Sequence, residues 1–304
     1  MREEVPAALA GERVDRAVAL LTGLPRSDVA ALVESGAVRL GGRVVSTRSR
    51  RVAEGDLLEV EMAAPSRQSA LVADSSVEVS IVYSDDDVIV VDKPPGLVVH
   101  PGAGHPSGTL VHVLLARFPE IEGVGADPQR PGIVHRLDEG TSGLLVVARS
   151  TRAYDSLVAQ LKSRSADRRY LGLVAGTVGP AAGMVDAPIG RSERERTRMA
   201  VSVRGREART RYEVRERFVE PIECTLVECR LETGRTHQIR VHMAAIGHPV
   251  IGDPRYRGAR SGLPCPRPFL HAYRLAFDHP GTGERVEFAS PLPPDLDEVR
   301  GRLS

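Results

Sequence analysis

Apolar positions along residues 10–62 recur first at helical spacing and then at strand spacing. In "RVDRAVALLTG", Val14, Ala17, Val18 and Leu21 fall on one side of a helix. "LPRSDVAALVESGAV" predicts a second helix with Ser27 as its cap, Val29, Leu32 and Val33 as its buried stripe, and Gly36 as its stop. "AVRLGGRVV" then has the Gly-Gly turn of a hairpin, and "AEGDLLEVEM" supplies another strand. Residues 63–76, rich in Ala, Pro and Ser without periodicity, are expected to be a linker between a small first unit (10–62) and a larger second one (77–304).

The second unit opens with strand patterns in "VEVSIVY" and "DVIVVDKPPG", the latter closed by a Pro-Pro-Gly turn. Helices are expected over 109–118 and 151–164, and in "GRTHQIRVHMAAIGHP", which Gly247 and Pro249 end. The run Gly143 to Ala148 and the segments "RRYLGLVAG", "EARTRYEVRERF" and "CTLVECRLET" are further strand candidates. Many strands lack an intervening helix. The fold class is therefore α+β: a mixed, largely antiparallel central sheet with flanking helices and a cleft, preceded by the small unit.

Composition adds limits. The 304 residues are 41% hydrophobic and 27% charged, ordinary for a globular protein of about two domains. No apolar run approaches the roughly 18 residues of a membrane span, and "MREEVPAALAGERVDRAV" lacks a secretory pattern, so a cytoplasmic protein is expected. Three cysteines suit a reducing compartment. Cys224 and Cys229, five apart in a strand, should face opposite ways as structural thiols. No histidine or cysteine spacing matches a metal site, so no metal and no cofactor are expected. The net charge is only +1, but it is unevenly spread: residues 26–51 carry a local +4 and residues 191–217 a local +5, nearly all from arginine. Local basic stretches, not totals, set phosphate affinity.

The candidate chemistry lies in "IVHRLDEGTS". Extended geometry would put Val134, Arg136 and Asp138 on one face, with His135 and Leu137 on the other. Arg136 and Asp138 could then share a cleft, although an Arg-x-Asp pair alone is more often a structural ion pair. The succession "DKPPGLVVHPG", "HRLDEGTSGLLVVAR", "RRYLGLVAG" and "LETGRTHQIRVHMAAIGHPVIGDPRY" resembles the pseudouridine synthases of the RluA family, nearest to the large-subunit synthase D branch. "LPRSDVAALVESGAVRLGGRVV" resembles the S4 RNA-binding domain.

The first resemblance implies that Asp138 is the catalytic residue and that Arg136 displaces the target base. It further implies that Tyr170 stacks on the extracted uracil and that Arg240 pairs with the catalytic carboxylate. The second implies a module that grips structured RNA, with Arg26, Arg39 and Arg43 as its contacts. After the aspartate stand Glu139 and Gly140, where many relatives carry a lysine followed by an acid.

The implied reaction explains the residue types. Uridine becomes pseudouridine when N1–C1′ breaks and the ring rejoins through C5, with nothing added or lost. One carboxylate must stay ionised in a largely dry pocket, and an arginine within about 4–6 Å favours that form by roughly 1–3 pKa units. The expected partner is RNA, ribosomal RNA or a ribosomal subunit precursor, bound by a monomer with no membrane contact. Transfer RNA, or a non-catalytic role in ribosome assembly, are the alternatives. A glycoside hydrolase would need a second catalytic acid, and none accompanies Asp138 in its motif.

Overall fold

The computed structural model describes residues 1–304 except 25, 62–70, 103 and 196, and the side chains of 26–28, 31 and 260 also lie outside the described set. The chain forms two compact units, Met1–Ala70 and Leu71–Ser304.

The first unit runs β1 (Arg2–Glu4), α1 (Val14–Thr22), α2 (Arg26–Glu34), β2 (Val38–Leu40), β3 (Arg43–Val44) and β4 (Leu57–Val60). Its antiparallel sheet has the order β1-β4-β2-β3. The helices bury Val14, Ala17, Val18, Val29 and Val33 against Val38, Leu58 and Val60 of the sheet. Two expectations need correcting. The unit begins before residue 10, because β1 pairs along β4 and the terminal amine of Met1 donates to the Val60 carbonyl at 2.8 Å. And α2 starts at Arg26, which puts Ser27 inside the first turn instead of at the cap.

Of the stretch expected as a linker, residues 63–70 lie outside the described residues. Residues 71–76 belong with the second unit: Leu71 packs on its main core, and the Asp74 amide donates to the His112 carbonyl.

The second unit continues with β5 (Ser80–Ser84), β6 (Val88–Lys93), α3 (Leu110–Arg117), β7 (Ser142–Ala148), α4 (Thr151–Ser163), β8 (Asp167–Ala175), β9 (Ala182–Asp186), β10 (Ile189–Arg191) and β11 (Met199–Val201). Then come β12 (Arg209–Phe218), β13 (Cys224–Leu231), α5 (Gln238–Ala245), β14 (Leu270–Asp278), β15 (Arg285–Ala289) and α6 (Pro294–Arg300). The large sheet has the order β5-β6-β7-β14-β8-β13-β12-β9, with β15 added to β14. Every pairing is antiparallel except β7 with β14, so the sheet is mixed and largely antiparallel as expected. β10 and β11 form a separate two-stranded arm.

The central strands are apolar at nearly every position because both faces are covered. Ile89, Val91, Leu145 and Val147 pack toward α3 and α5, whereas Val88, Val90, Leu144 and Val146 pack toward α4. The five-residue offset of the two strand cysteines has the same consequence. Cys229 joins the α3/α5 side, and Cys224 joins a third cluster with Leu296 and Val299 of α6. Burial pushes both thiols up, to about 11 for Cys224 and about 12 for Cys229, which leaves them inert. Tyr170 of β8 and Leu270 of β14 point to the α3/α5 side, and the candidate site is built there.

Candidate active site

"IVHRLD" is not a strand. Only Ile133 makes a bridge, to Val147, and the chain then runs irregularly to a turn closed by the Thr141 amide donating to the Asp138 carbonyl at 3.0 Å. The expected alternation of faces does not hold, because individual anchors and not a ladder set each side chain: His135 lines the outer cleft beside Val134, Arg136 and Asp138, and Leu137 lines the inner recess with Arg136 and Asp138. Leu137 is buried in the core, and His135 Nε2 accepts from the Val146 amide at 3.2 Å. Burial pushes His135 down to about 3, so it stays neutral. Arg136 is exposed, and Asp138 is held at the edge of the interior.

The turn after Asp138 is pinned from three directions. The Glu139 carbonyl accepts from the Gly96 amide (2.8 Å) of the Pro-Pro-Gly turn and from Lys93 Nζ (3.3 Å). Arg267 donates to the Gly140 carbonyl and to Ser142 Oγ at 3.0 and 3.1 Å. Gly143 then enters β7 at φ +113°, where a Cβ would lie 2.3 Å from the Ala272 carbonyl oxygen. Only glycine allows β14 to approach so closely and hold the strand that follows the aspartate.

Lys93 is fully buried, and its ammonium donates to the carbonyls of Pro94, Leu97 and Glu139. Burial pushes its pKa down from the ordinary 10.5 to about 7, against the opposing pull of the Asp138 charge. Between those values the unfolded chain binds a proton that the folded chain lacks. Stability therefore rises with pH across about 7 to 10.5, and below 7 the folded chain carries the full cost of the buried charge. Denaturant titrations at several pH values should show this slope, on the order of a few kcal/mol across the window. Lys93→Met should flatten it.

Arg240, in the first turn of α5, joins two carboxylates. Its Nη1 donates to Asp138 Oδ2 at 3.0 Å, while Nε and Nη2 form a two-pronged pair with Asp253 at 2.6 and 3.0 Å. The exposures of the three side chains are 9% for Arg240, 15% for Asp138 and 0% for Asp253. Burial works against the arginine's charge, but Asp253 and Asp138 more than offset it, and its pKa lies above the ordinary value. Asp253 Oδ1 also accepts from the amides of Arg255 and Tyr256. With both oxygens occupied and no exposure, Asp253 cannot serve as a second catalytic acid; it orients Arg240.

Asp138 lies where two spaces meet. Outside is an open cleft of about 670 Å³ that Arg136, His100, Lys162, Arg164 and Arg235 help line. Inside is a narrow recess bounded by Asp138, Thr141, Tyr170, His237 and Leu270. The Tyr170 phenol is buried, which pushes its pKa up to about 12, so it presents a neutral ring to the recess. Arg136 reaches over the cleft with Nη1 3.2 Å from His100 Nε2, and His100 Nδ1 is bonded to the Pro101 carbonyl.

The four residues expected at the site thus converge: Asp138 contacts Arg240, both Arg136 and Asp138 line cleft and recess, and Tyr170 walls the recess. The helix expected over "GRTHQIRVHMAAIGHP" starts only at Gln238, after His237 in a left-handed conformation (φ 57°). That delay leaves Gly234–His237 as a loop at the mouth. Arg39 and Arg43 are exposed on β2 and β3 of the first unit, whereas the side chain of Arg26 lies outside the described residues. Lys93, His100, Asp253, Tyr256 and Arg267 had no expected role, although "GDPRY" and "DKPPG" contain three of them. Among the described residues no group of three or more His, Cys, Asp or Glu could hold a metal ion, and no helix is long and apolar enough to cross a membrane.

Comparison with known proteins agrees with this arrangement. Residues 87–245, which include both Asp138 and Arg240, match the RNA pseudouridylate synthase family, and the chain belongs to that family. It is accordingly an isomerase that converts uridine to pseudouridine in RNA. It is 44% identical to an uncharacterized RNA pseudouridine synthase of Bacillus subtilis, YlyB, over 95% of this chain and 93% of that one. It is likewise 44% identical to the ribosomal large subunit pseudouridine synthase D of Pseudomonas aeruginosa, over 96% and 92% of the two chains. The structure of human RNA pseudouridylate synthase domain containing 1 superimposes with a TM-score of 0.57 at 32% identity, covering 73% of this chain and 87% of that one.

Proposed function

We propose that the protein modifies uridines of large-subunit ribosomal RNA, acting as a monomer in the cytoplasm. Asp138 is the reacting carboxylate, Arg240 its counter-charge, Tyr170 the face that confines the detached base, and Arg136 the side chain that displaces it. The observation that supports these roles most is the 3.0 Å Arg240–Asp138 contact at the junction of a basic cleft and a ring-walled recess. An RNA backbone suits the cleft, and an extruded pyrimidine enters the recess as its walls part from the present volume of about 40 Å³, a guanidinium and a phenol replacing the stacking and water it has lost. Asp138 acts at the sugar as N1–C1′ breaks. Tyr170 keeps the uracil from diffusing while it turns, C5–C1′ forms, and the proton lost from C5 is balanced by one gained at N1.

The relatives named as large-subunit synthase D support the choice of ribosomal RNA. Pseudouridine maps of ribosomal and transfer RNA from cells with and without the gene test it. Loss of specific large-subunit sites is expected, and losses confined to transfer RNA would reject the substrate assigned here.

The first unit is proposed as an S4-like grip on RNA through Arg39 and Arg43. Replacing both with alanine should reduce the salt slope of RNA binding by about 0.7–0.9 per lost phosphate contact while leaving the rate on saturating RNA almost unaltered. An identical slope in filter-binding titrations would remove these arginines from the interface.

A further inference from the structure

Tyr256 is almost fully buried and touches every component behind Asp138. Its ring centroid lies 5.2 Å from the Arg240 guanidinium carbon, so it covers a face of the group whose edges are taken by Asp138 and Asp253. Its hydroxyl is 2.9 Å from Nδ1 of His237, a wall of the recess, and the two rings meet edge-on at 5.7 Å. The Tyr256 amide donates to Asp253.

The same ring carries the β10–β11 arm. The Arg198 guanidinium carbon lies 4.8 Å from the centroid, the Met199 backbone lies beside the Tyr256 hydroxyl, and Ile189 and Met199 pack on Tyr256. Beside it, Arg255 Nη1 donates to the Thr197 carbonyl at 3.2 Å. The arginine-rich stretch singled out by its local charge therefore begins in an arm resting on the residue that backs Arg240.

Resting on the roles proposed above, we infer that Tyr256 is the positioning residue for Arg240 and that Arg198 and the arm hold it in place, so the arm contributes to the rate of isomerisation as well as to RNA affinity. A guanidinium fixed at three edges can still tilt out of plane, and a ring against its face prevents that. A desolvated cation–ring contact is worth about 2 kcal/mol and a more exposed one about 0.5–1 kcal/mol. Arg198 makes no hydrogen bond or ion pair with Asp138 or Arg240 and does not line the recess, but the arm also packs on α5 beside Val241 and Ala244, so the double variant decides whether its effect passes through Tyr256.

The test is single-turnover isomerisation at saturating RNA, with RNA affinity measured separately, for Arg198→Ala, Tyr256→Leu and the double variant, and with Tyr256→Phe and Arg198→Lys as conservative controls. The saturated rate should fall roughly 30-fold in Tyr256→Leu and roughly 2–5-fold in Arg198→Ala. The double variant should be no slower than Tyr256→Leu alone, because the two act as one unit. Tyr256→Phe keeps the ring and should recover most of the rate, as should Arg198→Lys. Independent, multiplying effects would overturn the inference, and so would an Arg198→Ala variant that changes RNA affinity alone. The second outcome needs no Tyr256 variant to fold. Asp138→Asn in the same assay separates the two levels: activity surviving there overturns the site reading, whereas its loss beside multiplying effects overturns the role of Tyr256 only.

Discussion

Asp138→Asn should abolish release of tritium from RNA labelled at uridine C5, by roughly 10³-fold or more, and leave RNA affinity within about 2-fold. The reason is geometric. Asparagine fills the same space at the junction of cleft and recess, so the loop from Ile133 to Thr141 keeps its supports from Lys93, Gly96 and Arg267. What disappears is the negative oxygen proposed to act at the sugar. Arg240 would retain its two-pronged hold on Asp253 and with it the position of α5. Tritium release equal to that of the wild type would remove Asp138 from the chemistry.

Arg240→Met should be damaging twice over. It removes the counter-charge from Asp138, and it leaves the Asp253 carboxylate fully buried without its guanidinium. Breaking a buried pair from one side costs about 3–5 kcal/mol, far more than a surface ion pair contributes. Isomerisation should fall to the level of Asp138→Asn, and denaturant unfolding should report that loss of stability. Arg240→Lys keeps the charge but cannot serve two carboxylates with a planar fork, so it should recover stability only in part and activity hardly at all. A lysine variant with near-normal rate would mean that charge alone suffices and that the orientation set by Asp253 and Tyr256 is unimportant.

The sequence carried those parts of the fold that have a local cause. The stripe Val14, Ala17, Val18 and the stop at Gly36 are consequences of helical spacing and a left-handed glycine, and the unbroken apolar runs at 88–91 and 143–148 predict strands, which the structure covers on both faces. The elements beyond residue 265, and the arm, announce themselves less well because neighbours define them: β14 is a strand by virtue of lying between β7 and β8, and its parallel partner is more than a hundred residues away. The site divides in the same way. Asp138, Arg136, Tyr170 and Arg240 came from motif resemblance and converge in space. Asp253 and Lys93 are invisible to spacing because their roles follow from complete burial, and no pattern of residue types shows that a carboxylate 13 positions after an arginine will grip it from beneath. "IVHRLD" illustrates the limit. Alternation assigns opposite faces to an irregular segment whose side chains are in fact set one by one, by anchors at His135 and Leu137 and without a ladder, so that His135 shares the cleft with Arg136 and Asp138.

The single parallel pairing has an outcome in time. β7, which emerges directly from the turn after Asp138, acquires its second neighbour only when residues 271 and 272 arrive beside Ser142 and Gly143. The long-range closure that seats it belongs to the slow class of folding events. A nascent chain that has already produced Asp138, Tyr170 and Arg240 thus holds the groups proposed to act without a finished frame for them, and competence to act on RNA should switch on only after residues 271 and 272 have been made.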